Sequence, residues 1–373
     1  MRIVGTARLG RRTKDLVKRL GRSDIAIVDH VDMDRVSAEA LLETGVEAVV
    51  NASSSISGAY PNLGPLVLVR GGVRLIDAVG QDIFARLSDG DQIEIVGGDI
   101  VKDGEVVASG TPLSVDAVER AMEAAKEGLD QQLEQFARNT IEHMLKERAL
   151  LTEGVSVPNV KTQIAGKDVL VVVRGYDYKE DLRALVPYIR EVRPVLIGVD
   201  GGADALLELG FTPDLIVGDM DSVSDDALRS GAELVVHAYP DGRCPGRARV
   251  QALGLAAVEW ATPGTSEDLA LLLAYESGAE LIVAVGTHTN LIEQLDKGRK
   301  GAASTFLVRL KVGSKLVDAK GVSRLYKASV GAGEMVALAL AAIGVIAGLL
   351  LISPAARALV RLAILGVRAA LGI

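Results

Sequence analysis

The chain has one cysteine, Cys244, and four histidines, and only 3% of its 373 residues are aromatic. The single cysteine excludes an intramolecular disulfide and any multi-cysteine metal site. His30, His143, His237 and His288 are scattered and show no metal-ligand spacing. So few aromatics leave no stacking platform for bases, and a net charge of −8 gives no electrostatic reason to bind nucleic acid. The basic N-terminus "MRIVGTARLGRRTKDLVKRLG" lacks the apolar core of a signal peptide, so the bulk of the chain is expected in the cytoplasm.

What is abundant is glycine, at 40 residues, together with a hydrophobic fraction of 49%. That pairing suits an α/β protein with many tight strand-to-helix turns. The length allows two or three domains. Residues 1–113 read as a small mixed α/β domain, with strands in "DIAIVDH", "VEAVVNA", "PLVLVRGGVRLID" and "DQIEIVGG" and a helix near Ser37 to Glu43. Within it, Asp29, Asp32 and Asp34 read as turn and cap residues, with a metal role as the alternative, and the serine-rich "NASSSISGAYPNLGP" reads as a loop, with a backbone-and-hydroxyl anion site as the alternative. Residues 114–151 have apolar positions at three-four spacing and form one long helix, packed on its own domain or paired as a coiled coil. Residues 152–167 are a linker.

Near the end, 335–352 is an 18-residue run without charge, spanning roughly 27 Å as a helix. It is expected to form a transmembrane helix over 334–353. The basic residues before it favour a cytoplasmic N-terminal side, giving a single-pass protein of the cytoplasmic membrane. Residues 354–373, with Arg357, Arg361 and Arg368 on one face, read as an amphipathic tail.

From 168 to 330 short apolar strands alternate with helices, which means a parallel sheet covered on both faces. Ligands in such sheets sit at the carboxyl ends of the strands. Asp200 ends "PVLIGVD" and is followed by Gly201 and Gly202. Asp219 and Asp221 end "DLIVG", beside Gly218 and Ser222, and Asp268 opens a helix at the same edge. Two carboxylates one residue apart repel unless a cation or solvent holds them. Magnesium with phosphate oxygens does so, and paired glycines let a phosphate approach the backbone. The expected metal ligands are therefore Asp200, Asp219, Asp221 and Asp268. The expected phosphate or nucleotide contacts are Gly201, Gly202, Gly218, Ser222 and His288, the last in the loop after "LIVAVG". The alternative is that these residues only cap helices and shape turns.

"GVDGGADALLELGFTPDLIVGDMDS" resembles the catalytic core of thiamine pyrophosphokinases, with its DGGA, PD and GDxDS pattern. The whole chain resembles more closely the SteA family of cytokinetic-ring membrane proteins, through "SISGAYPNLGP", "RNTIEHM", "EDLALLLA", "STFLVRLKVGSKLVDAKGVSRLY" and the terminal apolar run. The first resemblance implies that Asp200, Asp219 and Asp221 bind the metal that holds ATP, while the hydroxymethyl oxygen of thiamine attacks the β-phosphorus and AMP leaves. The chain departs from that family at "TPGTSEDLA", which lacks a lysine and has Glu267 before Asp268, and at "GTHTN", Gly286 to Asn290, where the family has GGRxDH. It also has no evident counterpart of the family's C-terminal β-sandwich after Lys300. The second resemblance implies a membrane-anchored cell-division protein. Its pyrophosphokinase-like domain would bind Mg2+ and ATP or another nucleotide or diphosphate, with a division-machinery or small membrane protein as partner and a homodimeric assembly. The alternatives are an active thiamine diphosphokinase and an inert scaffold.

Overall fold

In the computed structural model the described residues are 2–148, 151, 155–287, 291–296, 301–322 and 332–371. They form two compact units, residues 1–321 and 322–373.

The first unit holds two sheets, each built from one uninterrupted stretch of chain. The first sheet comprises β1 (Arg2–Gly10), β2 (Asp24–Val28), β3 (Ala48–Asn51), β4 (Arg74–Asp77), β5 (Gln92–Val96), β6 (Asp99–Lys102), β7 (Glu105–Ser109) and β8 (Thr111–Pro112), in the order β7-β6-β5-β1-β2-β3-β4-β8. Strands β1 to β4 are parallel, while β5, β6 and β7 form an antiparallel meander and β8 pairs antiparallel with β4. Its helices include α1 (Thr13–Leu16), which follows β1, and α2 (Arg35–Glu43), which follows β2. Asp34 caps α2 by accepting from Ser37 N at 2.8 Å. Apolar clusters cover both faces of this sheet, around Ile27 and Ile95 on one side and Leu41 and Leu68 on the other.

Two differences from the sequence reading stand out here. The N-terminal segment, to which the sequence reading gave no strand, is β1, central in its sheet. "PLVLVR" is not strand: Gly64–Arg70 is a helix, and only Arg74–Asp77 of that run is strand. Pro65 in the first helical turn presets the backbone angle and needs no donor there, so an apolar run without period folds as a short helix.

The long helix α3 (Val115–Lys146) begins at its cap Ser114, which accepts from Ala117 N at 3.2 Å. Its first half packs on the Gly64–Arg70 helix, and its second half packs on α6 (Ala303–Val312) of the second sheet. Residues 155–167 are pinned to the fold: Trp260 Nε1 donates to Ser156 O at 3.0 Å, and Glu233 accepts from the Lys161 and Thr162 amides.

The second sheet is wholly parallel. It comprises β9 (Asp168–Val172), β10 (Val195–Val199), β11 (Leu215–Gly218), β12 (Glu233–Ala238), β13 (Val258–Ala261), β14 (Leu281–Val285) and β15 (Leu316–Asp318), ordered β13-β12-β11-β10-β9-β14-β15. Chain order runs outward from β9 in one direction and then restarts at β14 on its other side. The crevice at the carboxyl ends of β9 and β14 is thus a topological switch point, where doubly wound sheets bind ligands. Helix α4 (Gly202–Glu208) follows β10, and α5 (Ser266–Glu276), almost wholly buried, packs across the sheet.

The second unit contains α7 (Ala332–Ile352) and α8 (Pro354–Leu371), separated at Ser353. Among the described residues no helix is long and apolar enough to cross a membrane. This overturns the transmembrane helix expected over 334–353. The single-pass membrane localisation and the membrane as a partner through that helix fall with it. Within the 21 residues of α7 the run after Glu334 that carries no charge counts 18, at the short end of what crosses a bilayer, before Pro354 starts the next helix. In α8, Arg357, Arg361 and Arg368 are exposed.

Candidate functional site: an acidic turn between two lobes

Strands β10 and β11 lie side by side in parallel register, with Val199 opposite Val217. The residues that follow them therefore emerge at the same edge. Asp200 takes a left-handed backbone conformation (φ 47°), as does Met220 (φ 62°). Such conformations are costly for side chains other than glycine and collect at functional turns. Asp200 Oδ1 accepts from Met220 N at 3.0 Å, which ties the DGG turn to the GDMDS turn. Gly218 makes this approach possible: a Cβ there would stand 2.0 Å from Asp200 Oδ1.

The three carboxylates differ in charge state. Burial, then the neighbouring Asp219 carboxylate, push Asp200 up to about 7, although Met220 N and Ser266 donate to it. Burial raises Asp219 as well. Burial works against Asp221 too, but the Lys14 ammonium and the Arg12 guanidinium outweigh it and hold this carboxyl below its ordinary range. Lys14 Nζ donates directly to Asp221 Oδ2, and Arg12 stands 3.5 Å from the same oxygen. Both cations come from the start of α1 in the first lobe. Part of the cation that the DMD pair requires is thus supplied by the protein itself.

The other expected residues fall into separate roles. Ser222 lines a cleft of about 480 Å3 beside this turn, between the two sheets. Gly201 and Gly202 are closely packed. A Cβ on Gly202 would lie 1.9 Å from Val172 O, and one on Gly201 would lie 2.8 Å from the Arg174 guanidinium. Asp268 is buried as the third residue of α5 in a capping box with Thr265, and accepts from Thr265 N at 2.9 Å and from Ser304 Oγ at 2.8 Å. His288 lies outside the described residues. Among the described residues, no group of three or more His, Cys, Asp or Glu side chains converges to hold a metal. Asp200 and Asp219 remain as a neighbouring pair, because Asp221 is turned to the first lobe's cations.

Sequence reasoning missed Arg12, Lys14, Arg174 and Asp204. Arg174 follows β9 at the switch point, stands 3.5 Å from Asp204, and keeps Nε buried without a partner. Asp204 in turn accepts from Ser224 N at 3.1 Å, holding the end of the acidic turn. The strand-end rule that found Asp200 applies equally to Arg174. The "RRTK" after β1 was visible as a basic run, but only the fold brings it to Asp221.

Comparison with known proteins agrees with this geometry. Residues 187–241, which contain the DGG and GDMDS turns, match the family described as thiamin pyrophosphokinase, catalytic domain. Residues 320–370 match the SteA-like C-terminal domain. The chain therefore carries both a thiamin pyrophosphokinase-like segment and a SteA-like one, as the sequence resemblance implies. No curated protein gives a match. Solved structures that match include a thiamine pyrophosphokinase from Bacillus subtilis, 24% identical, covering 41% of this chain and 60% of that one, with a TM-score of 0.26. Another is 3-isopropylmalate dehydratase (leuD) from Methanocaldococcus jannaschii, 15% identical, covering 36% of this chain and 99% of that one, with a TM-score of 0.22. The chain thus spans less than two thirds of the first of these structures.

Proposed function

We propose that the second lobe binds a magnesium-bound phosphate compound, a nucleotide or diphosphate, and works as a sensor in a cell-division protein of the SteA type. The observation that carries this reading is the grouping of Asp200, Asp219 and Asp221 at the carboxyl edge of a parallel sheet, on turns that Gly218 and two left-handed residues force together. Magnesium takes one or two carboxylates and completes its shell with phosphate oxygens and water. The Asp200–Asp219 pair fits that demand only when a phosphate ligand comes with the ion. Once bound, the ion would neutralise charge on the phosphate oxygens. Asp200 must release its proton to serve, while Ser266 and Met220 N hold its carboxyl in place.

Sensor is preferred over thiamine diphosphokinase because the parts that would form a thiamine pocket are not among the described residues. After residue 300 these contain one strand, β15, and helices. The division role follows from the SteA resemblance and the C-terminal match, with a protein of the division machinery as the partner.

The test is calorimetric titration of ATP and of GTP into the full chain, with and without magnesium, beside an Asp219→Asn/Asp221→Asn variant. Magnesium-dependent binding that weakens at least about tenfold in the variant supports the reading. Release of AMP with thiamine present would replace the sensor with the enzyme. Absence of binding to the wild type leaves the scaffold.

A further inference from the structure

The cleft beside the acidic turn has walls from both sheets. One wall is the carboxyl edge of the first sheet, where Arg11, Arg12, Lys14 and Lys18 follow β1 and Asp29 and His30 follow β2. The other includes Arg174 after β9 and Ser222 after β11. The two sheets thus present their carboxyl edges, the edges at which such sheets bind ligands, to one shared space of about 480 Å3. Five cationic side chains line it against two carboxylates, Asp29 and Asp34, in a chain whose overall charge is −8.

The carboxylates are already engaged. Asp29 accepts from Ser53 Oγ and pairs with Arg11 at 3.1 Å, and Asp34 caps α2. Lys14 pairs with Asp221, Arg12 stands 3.5 Å from Asp221 and 3.9 Å from Asp15, and Arg174 stands 3.5 Å from Asp204, so these cations rest on carboxylates outside the cleft lining. In the lining itself cations outnumber carboxylates, and Ser222, next to the acidic turn, shares that lining. A ligand suited to both features carries several negative charges in a row. Part of it meets cations directly, and part reaches a divalent ion on the aspartates.

We propose that the first lobe completes the ligand site of the second: Arg12, Lys14, Lys18 and Arg174 bind a polyphosphate chain, as in a nucleoside triphosphate, whose magnesium sits at Asp200 and Asp219. This inference rests on the metal–phosphate reading of the acidic turn, and it adds that the ligand bridges the lobes. In the ligand-free state Lys14 and Arg12 rest on Asp221 and are handed to phosphate oxygens when the ligand enters.

The experiment titrates ATP and inorganic triphosphate, each with magnesium, into the full chain by calorimetry. Variants are Lys18→Ala, Arg12→Ala/Lys14→Ala and Asp219→Asn, and thermal melts confirm that each is folded. Lys18 is exposed, and the cations paired with Asp221 are Arg12 and Lys14, so its removal tests phosphate binding while leaving those pairs in place. The expected result is a loss of about tenfold in affinity for Lys18→Ala and about 100-fold for the double variant, for ATP and triphosphate alike. Equal losses for both probes place the contacts on the phosphates; losses confined to ATP would overturn the polyphosphate assignment. Binding that falls in Asp219→Asn but is unchanged or tighter in both cation variants would overturn the bridging site and leave the metal–phosphate reading standing. Absence of binding to the wild type would overturn both.

Discussion

Asp200 is asked to be two things: buried beside Asp219, it resists ionisation, yet a magnesium ligand must be ionised. With its carboxyl pushed up to about 7, the native state holds a proton that the unfolded chain gives up near 4. The native state therefore binds more protons between these values, and stability contributed by the protonated group is present below about 4 and lost as pH rises to about 7. Asp200→Asn, which keeps an oxygen acceptor for Met220 N, should raise stability at pH 8 by on the order of 2 kcal/mol and change little at pH 4, as read from thermal melts. Magnesium–ATP affinity of the wild type should rise with pH up to about 7 and then level, because binding expels that proton. Gly218→Ala should cost about 2 kcal/mol or more in urea unfolding, since its Cβ has no space beside the Asp200 carboxyl. The three aspartates were legible because each ends an apolar strand a few residues from a glycine. Lys14 was not, because its partner Asp221 lies 207 positions away and no local spacing encodes that meeting.

Among the elements, α5 shows how one motif serves two readings. "TSEDLALLLA" places an aspartate at the site's edge, which suggested a metal ligand, but in the fold Asp268 and Thr265 cap the helix reciprocally. Thr265→Ala should therefore lower stability by about 1 kcal/mol, seen as a shift in the urea midpoint followed through Trp260, the single tryptophan, buried in the second lobe. Strands of the second sheet were readable because residues buried on both faces give continuous apolar runs. The Gly64–Arg70 helix was not, because a seven-residue apolar run carries the same signal as a strand and only the placement of Pro65 separates them. The end of the chain misled for a related reason: apolar composition alone does not supply length, and the run stops at the lower bound of a span.

For the whole molecule, the long helix α3 packs on both lobes, and among the described residues charged contacts join them besides the Lys14–Asp221 pair. Arg35 donates to Asp177 at 2.6 Å, and Lys179 to Glu43 at 2.6 Å. Partly exposed pairs of this kind contribute little each, about 0–1 kcal/mol, and screen with salt. Glu43→Gln should accordingly leave the melting temperature within about 1 °C of the wild type. A ligand spanning the cleft would do more: at roughly 100 times its dissociation constant it adds about 2.7 kcal/mol, or about 4 °C in a unit of this size. Differential scanning calorimetry with and without magnesium–ATP measures that shift.

The chain completes residues 2–112, with every strand of the first sheet, before it enters β9, and no strand crosses from one sheet to the other. During synthesis the first sheet can close while the second is still unmade, so neither waits on pairings held by the other. The contact between Lys14 and Asp221 is then among the last to form. A newly made molecule can gain both cores before its shared cleft, which needs both finished halves docked.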